Sequence, residues 1–183
     1  IGKKAADTKE KISIEQPNHM LYECQDFMDI ILNKDEEAAY YRCRSFNYRH
    51  IYNKETCFFH PKDKNGKWIS PFDYRFSGGQ GAREYYGENN GWVYRWDVPH
   101  NIADLIELMN GKEQFVANLD QMFNESLGKS KFDFYSQLPD HTGNVGQFSM
   151  ANEPSLHIPY LYCYAGQPWK TQKRIRQLLK MWF

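Results

Sequence analysis

Three carboxylates in this chain sit in settings richer than a solvated helix face: Glu88, Asp140 and Glu153. Glu88 lies among Gly87, Asn89, Asn90 and Gly91, and Trp92, Tyr94 and Trp96 follow it. An apolar indole wall raises a carboxyl pKa toward the working range of a general acid. A sugar oxygen is a fitting proton acceptor for such a group, because indole and phenol faces stack on the C–H faces of a pyranose. The same residues would equally form a well-packed corner whose carboxylate accepts backbone N–H bonds. Glu153 follows Asn152, and an amide oxygen beside a carboxylate suits a hard cation such as calcium. Asn152-Glu153-Pro154 reads equally as a helix start whose acid favours the helix dipole. His141 and His157 have no zinc spacing. The serines and cysteines lack a nucleophile-elbow context, so acyl transfer has no support.

Composition narrows the classes. The 183 residues carry 23 basic and 23 acidic side chains with no like-charge block, which removes the broad electrostatic case for nucleic acid or an anionic membrane. No apolar run is long enough to span a bilayer. Aromatic residues make up 16% of the chain, and the mean hydropathy is −0.79. Such a chain has a core and also polar-edged aromatic surface. The four cysteines have no C-x-x-C spacing, and each is expected as a buried thiol.

The elements that must position these groups read as helices. Residues 1–16 are a charged entry segment. Met20, Leu21, Cys24, Phe27, Met28, Ile31 and Leu32 recur at spacings of three and four, one stripe of an amphipathic helix broken at Asn33-Lys34. Asp35 is expected to cap a second helix reaching Tyr52, with Ala39, Tyr40, Cys43, Phe46 and Tyr48 or Tyr52 inward. Residues 53–73 change period and carry an Asn65-Gly66 turn signal, a short hairpin-like excursion; His60 within it reads as a surface or capping histidine. Residues 77–91 form a loop with five glycines, of the kind that binds ligands. Asn101 caps a helix over IADLIELM, and Gly111 stops it. Phe115, Leu119, Met122 and Phe123 line the next helix, and a polar link follows. HIPYLYCYAG is a short apolar helix, and Ile175, Leu178, Leu179 and Trp182 stripe the last one. About six helices, each needing two neighbours, predict one all-α domain over residues 1–183, an α/α toroid or part of one.

Two stretches together carry a resemblance: ENNGWVYRWDVPHN with IADLIELMNG, and GQFSMANEPSLHIPYLYCYAGQPWKTQ. They resemble family 92 of the glycoside hydrolases, bacterial calcium-dependent exo-acting α-mannosidases, over roughly Cys24 to Phe183. The resemblance implies an inverting hydrolase with an N-terminal β-sandwich domain, absent here, and a C-terminal (α/α)6 toroid of which this chain is a piece. It implies Glu88 as general acid, Asn152 and Glu153 at the Ca2+ site, and Trp92, Trp96 and His157 as substrate contacts. Calcium would hold the mannose 2- and 3-hydroxyls. The catalytic base would lie beyond Phe183, so this piece alone is expected to be inactive. Mannose-containing glycans, most simply α-1,2-linked, would be the substrates, and a periplasmic or secreted location follows. Open toroid faces would favour self-association. Where many members have Asp after Val-Pro-His, this chain has Asn101. It has Met150-Ala151 and Leu156 in place of the Gln-Gly and first His around Asn-Glu-Pro-Ser. A non-catalytic carbohydrate-binding or scaffold module is the alternative from a different class.

Overall fold

The computed structural model describes residues 29–76, 85–87 and 89–182, the side chain of Asp140 excepted. Most of the stripe expected over residues 20–32 and the glycine loop up to Arg83-Glu84 lie outside them, as does Glu88. Residues 29–31 are helical, and the break at Asn33-Lys34 is present: Asn33 has φ 57° and the Lys34 N–H donates to the Asp29 carbonyl at 2.8 Å. Helix α1 (Asp35–Arg44) opens on Asp35, Glu36 and Glu37 and closes on Arg42 and Arg44, matching charge to the helix dipole at both ends. Asp35 is its first residue and not its cap. The helix also stops earlier than expected, because Ser45 turns back on it, donating from Oγ to the Arg42 carbonyl at 2.8 Å. A 3-10 turn, Asn47–Ile51, follows. Tyr40 and Cys43 are exposed, and Tyr48 and Tyr52 are the buried anchors of this region.

The excursion after Tyr52 is a hairpin as the sequence predicts. Strands β1 (Tyr52–Asn53) and β2 (Phe58–Phe59) pair antiparallel, Tyr52 opposite Phe59. Lys62 and Trp68 bridge across the Asn65-Gly66 turn, where Asp63 Oδ1 accepts the N–H groups of Asn65 and Lys67. His60 is not a surface residue. It is buried between Tyr74 Oη at 2.6 Å and the Ile69 carbonyl at 2.8 Å.

The core is built on a short helix α2 (Gly91–Tyr94), then α3 (Ile102–Leu108) and α4 (Lys112–Asn124). Asn101 caps α3, accepting the Asp104 N–H at 3.2 Å. Leu105, Met109, Phe115, Leu119 and Met122 are completely buried. Asp104 ties this core to the 3-10 turn. Burial would raise its carboxyl, but hydrogen bonds from Arg49 and Tyr48 outweigh that and hold it below the usual range.

The link after α4 contains a helix that periodicity did not reveal, α5 (Lys131–Gln137). Ser130 accepts the Asp133 N–H at 3.1 Å and donates to the Asp133 carboxylate at 2.6 Å, a reciprocal cap on too short a stripe to read by period. A second antiparallel hairpin joins β3 (Asn144–Val145) to β4 (Phe148–Ser149), so the described residues are predominantly helical with two two-stranded ribbons. Glu153–Ser155 and Ile158–Cys163 are 3-10 turns, and α6 (Pro168–Trp182) ends the described residues. Of the stripe expected on α6, Leu178 is buried while Leu179 and Trp182 are exposed. Among the described residues Cys43, Cys57 and Cys163 are free, two of them exposed, contrary to the buried thiols expected.

Candidate active site

Three segments far apart in sequence meet through buried side-chain amides. Tyr86 Oη donates to the Phe59 carbonyl at 2.6 Å, which seats the chain just before position 88. Asn90 caps α2 through Oδ1, 3.1 Å from the Trp92 nitrogen, and donates from Nδ2 to Gln147 Oε1 at 2.9 Å and the Arg75 carbonyl at 3.1 Å. Gly91 is held so tightly that an added Cβ would meet Tyr86 Oη at 2.8 Å and Tyr74 Cδ1 at 2.9 Å. Asn89 makes the longest-range connection. Its Oδ1 accepts the Asn90 N–H at 2.8 Å and lies 2.6 Å from His141 Nδ1; its Nδ2 donates to Asn152 Oδ1 at 3.0 Å. Asn89, Asn90, His141, Gln147 and Asn152 are all at most 2% exposed. Buried amides in such a network hold one arrangement, because any unpaired member is costly.

The Asn89–Asn152 bond has a direct consequence for the expected site. Position 88 precedes one partner and Glu153 follows the other, and consecutive Cα atoms are about 3.8 Å apart. Glu153 is exposed, beside the buried Asn152. The two offer hard oxygen donors: Asn152 Oδ1 accepts the Asn89 amide, and a carboxamide oxygen carries a second lone pair that suits a cation. Among the described residues no group of three or more His, Cys, Asp or Glu side chains is placed to hold a metal ion. A calcium site here would therefore need amide, carbonyl or sugar oxygens to fill its shell of about 6–8 ligands.

The aromatic groups are placed differently from the expectation. Trp96 is fully buried; its indole N–H donates to Met122 Sδ at 3.1 Å and its ring meets Phe115 edge-on at 5.3 Å. Trp92 is 5% exposed, edge-on to Phe58. The buried Arg95 guanidinium lies 4.2 Å over Phe58 and donates from Nε to the Cys57 carbonyl at 2.7 Å. Trp92 and Trp96, expected as substrate contacts, are packed as core residues among the described residues. Trp92 sits on α2, whose four residues are all buried, and Trp96 in the turn that follows is packed between Phe115 and Met122. His157 is half-buried with Nε2 3.1 Å from the Trp96 carbonyl, and burial lowers its pKa. It fastens the Asn152 segment to the turn after α2.

Two groups escaped the reading by residue type. His141 was indistinguishable from an ordinary structural histidine, since its partner Asn89 is 52 positions away. Asp97, after Trp96, is half-buried, and burial pushes its carboxyl up to about 6. Its place in an apolar aromatic run was the available signal.

The glycosyl hydrolase family 92 catalytic domain matches residues 22–183. The chain belongs to that family. A family GH92 α-mannosidase of Bacteroides thetaiotaomicron is 29% identical over 88% of this chain, with a TM-score of 0.71. The same enzyme in complex with mannoimidazole superposes at 0.75. A family GH92 inverting mannosidase from that organism is 32% identical with a TM-score of 0.69. An uncharacterized secreted glycosidase of the fungus Arthroderma benhamiae is 28% identical over 84% of this chain. The chain spans about a fifth of the length of these relatives, 20% to 22%. Both stretches that carry the resemblance lie inside the family 92 match, and the Asn89–Asn152 bond joins them.

Proposed function

We propose that this chain is a piece of the toroidal catalytic domain of an inverting exo-α-mannosidase that removes terminal α-linked mannose, α-1,2-linked in the simplest case, from mannose-rich glycans. One observation carries the reading: Asn89 and Asn152, neighbours in sequence of Glu88 and Glu153, share a buried 3.0 Å hydrogen bond within a family 92 match. Glu88 is the general acid that protonates the departing oxygen. Tyr86 and Asn89 anchor the chain on either side of that position, which supports a fixed place for the acid. Asn152 and Glu153 hold calcium. When bound, calcium orients the mannose 2- and 3-hydroxyls. His157 borders the sugar beside them.

Inversion requires a second carboxylate across the sugar, about 6.5–9.5 Å from the first, to activate water. We place that base outside these residues, in the larger catalytic domain that the relatives span. A secreted or periplasmic protein fits this reading: the fungal relative is secreted, and among the described residues no helix is long and apolar enough to cross a membrane. A purely sugar-binding module fits less well, because it needs the aromatic groove that Trp92 and Trp96 do not form. The test is turnover of α-1,2-mannobiose by the full-length protein. Calcium-dependent release of mannose, abolished by chelation, is expected; binding without hydrolysis would favour the module.

A further inference from the structure

The geometry assigns His141 as a positioning residue for this site: through the carboxamide of Asn89 it fixes Asn152 and the chain that follows position 88. The assignment rests on the functional reading above. The hydrogen-bond directions are set by the backbone. Asn89 Oδ1 accepts the Asn90 N–H at 2.8 Å, so the oxygen end of that amide is fixed. His141 Nδ1, 2.6 Å from the same oxygen, must therefore be the protonated nitrogen and the donor. With Oδ1 held from two sides, Nδ2 is left pointing at Asn152 Oδ1, 3.0 Å away. A flipped Asn89 amide would set its NH2 against two donors and its oxygen against the Asn152 oxygen.

His141 is itself held in place. Its ring is fully buried and meets Phe134 edge-on at 5.0 Å; Phe134 is the buried residue of α5. The hairpin that follows carries Gln147, which grips Asn90 from Oε1 and donates from Nε2 to the Ser126 carbonyl at 2.7 Å. The segment from α5 to β4 thus clamps both asparagines that follow Glu88: Asn89 through His141, and Asn90 through Gln147. Carboxamides that orient ligand or acid groups act through such supporting bonds, whose loss costs about 10–100-fold in metal affinity or activity.

The test uses the full-length protein. His141→Phe keeps a ring against Phe134 and removes the Nδ1 donor; His141→Asn keeps an amide N–H near the Nδ1 position. His141→Phe is expected to lower kcat on α-1,2-mannobiose and raise the calcium concentration for half-maximal activity, each about 10–100-fold, while His141→Asn stays within about threefold of wild type. Asn89→Asp, which still accepts from His141 but cannot donate to Asn152, should match His141→Phe and serves if that variant does not fold. Crystal structures give the readout independent of turnover: the distance from Asn89 Nδ2 to Asn152 Oδ1 should open beyond about 3.5 Å in His141→Phe only among the His141 variants. If wild type hydrolyses no mannoside, the functional reading fails and this distance still decides the positioning claim. An unchanged distance in His141→Phe overturns it. So does an His141→Asn enzyme as impaired as His141→Phe at equal thermal midpoint.

Discussion

His141 and Asp97 are shifted by the same cause in opposite senses. Burial holds the imidazole down to about 4 and pushes the carboxyl up to about 6, against ordinary values of 6.5 and 3.8. Between pH 4 and 6.5 the unfolded chain binds a proton at His141 that the native state refuses. Stability from this group is therefore complete above 6.5 and falls as pH drops toward 4. Asp97 behaves in reverse: between 3.8 and 6 the native state keeps a proton that the unfolded chain releases, so its contribution falls as pH rises through that window. Each slope is about 1.4 kcal/mol per pH unit, and the two oppose each other over most of the range. Relative to wild type, Asp97→Asn should gain stability as pH rises from 4 to 6, on the order of 3 kcal/mol, and His141→Asn should lose a similar amount over the same range. Urea denaturation at stepped pH measures both. Trp96 gives a separate residue-scale outcome. Because its ring is fully buried against Phe115 and Met122, Trp96→Ala should cost about 3–5 kcal/mol of stability, and Trp96→Phe should leave KM for mannosides unchanged. A raised KM in Trp96→Phe would return the indole to the sugar.

Among the elements, the β3–β4 hairpin holds the loop at Asn90 through Gln147. Gly146 turns it with φ 59°, and an added Cβ would lie 2.4 Å from the Met122 carbonyl oxygen and 2.5 Å from the Phe123 carbonyl carbon. Both obstacles are backbone at the end of α4, so neither can swing aside. Gly146→Ala is expected to destabilise by at least about 2 kcal/mol, and faster hydrogen exchange at Gln147 and Asn90 would show the loss spreading to the loop. Unchanged exchange at Asn90 would uncouple hairpin and loop. This element was not legible beforehand, because two-residue strands carry no alternation to read. Helices α3 and α4 were legible, since Asn101 caps one and Phe115, Leu119, Met122 and Phe123 stripe the other over three turns. Helix α5 is written in its Ser130-x-x-Asp133 cap, a signal that depends on two residues and no period.

At the scale of the molecule, family membership came from two stretches of sequence, whereas their meeting point could be seen only in three dimensions. Residue types pointed to Glu88, Asn152 and Glu153; nothing local linked the first to the others, because Asn89 and Asn152 lie 63 positions apart. The indoles could not be assigned from sequence, because a Trp-rich run beside a glycine loop serves a core and a sugar platform equally well until burial is known. Leu156, Tyr160, Tyr164, Trp169, Leu179 and Trp182 are exposed. We propose that Glu88 donates the proton to the leaving oxygen in a calcium-dependent mannosidase. The most direct test of this proposal compares wild type with Glu88→Gln in the full-length protein, on α-1,2-mannobiose and on an aryl α-mannoside whose phenolate leaves without protonation. With Glu88 as the acid, Glu88→Gln loses about 100- to 10,000-fold on the disaccharide and far less on the aryl mannoside. Equal losses on both substrates, or none on either, would contradict it.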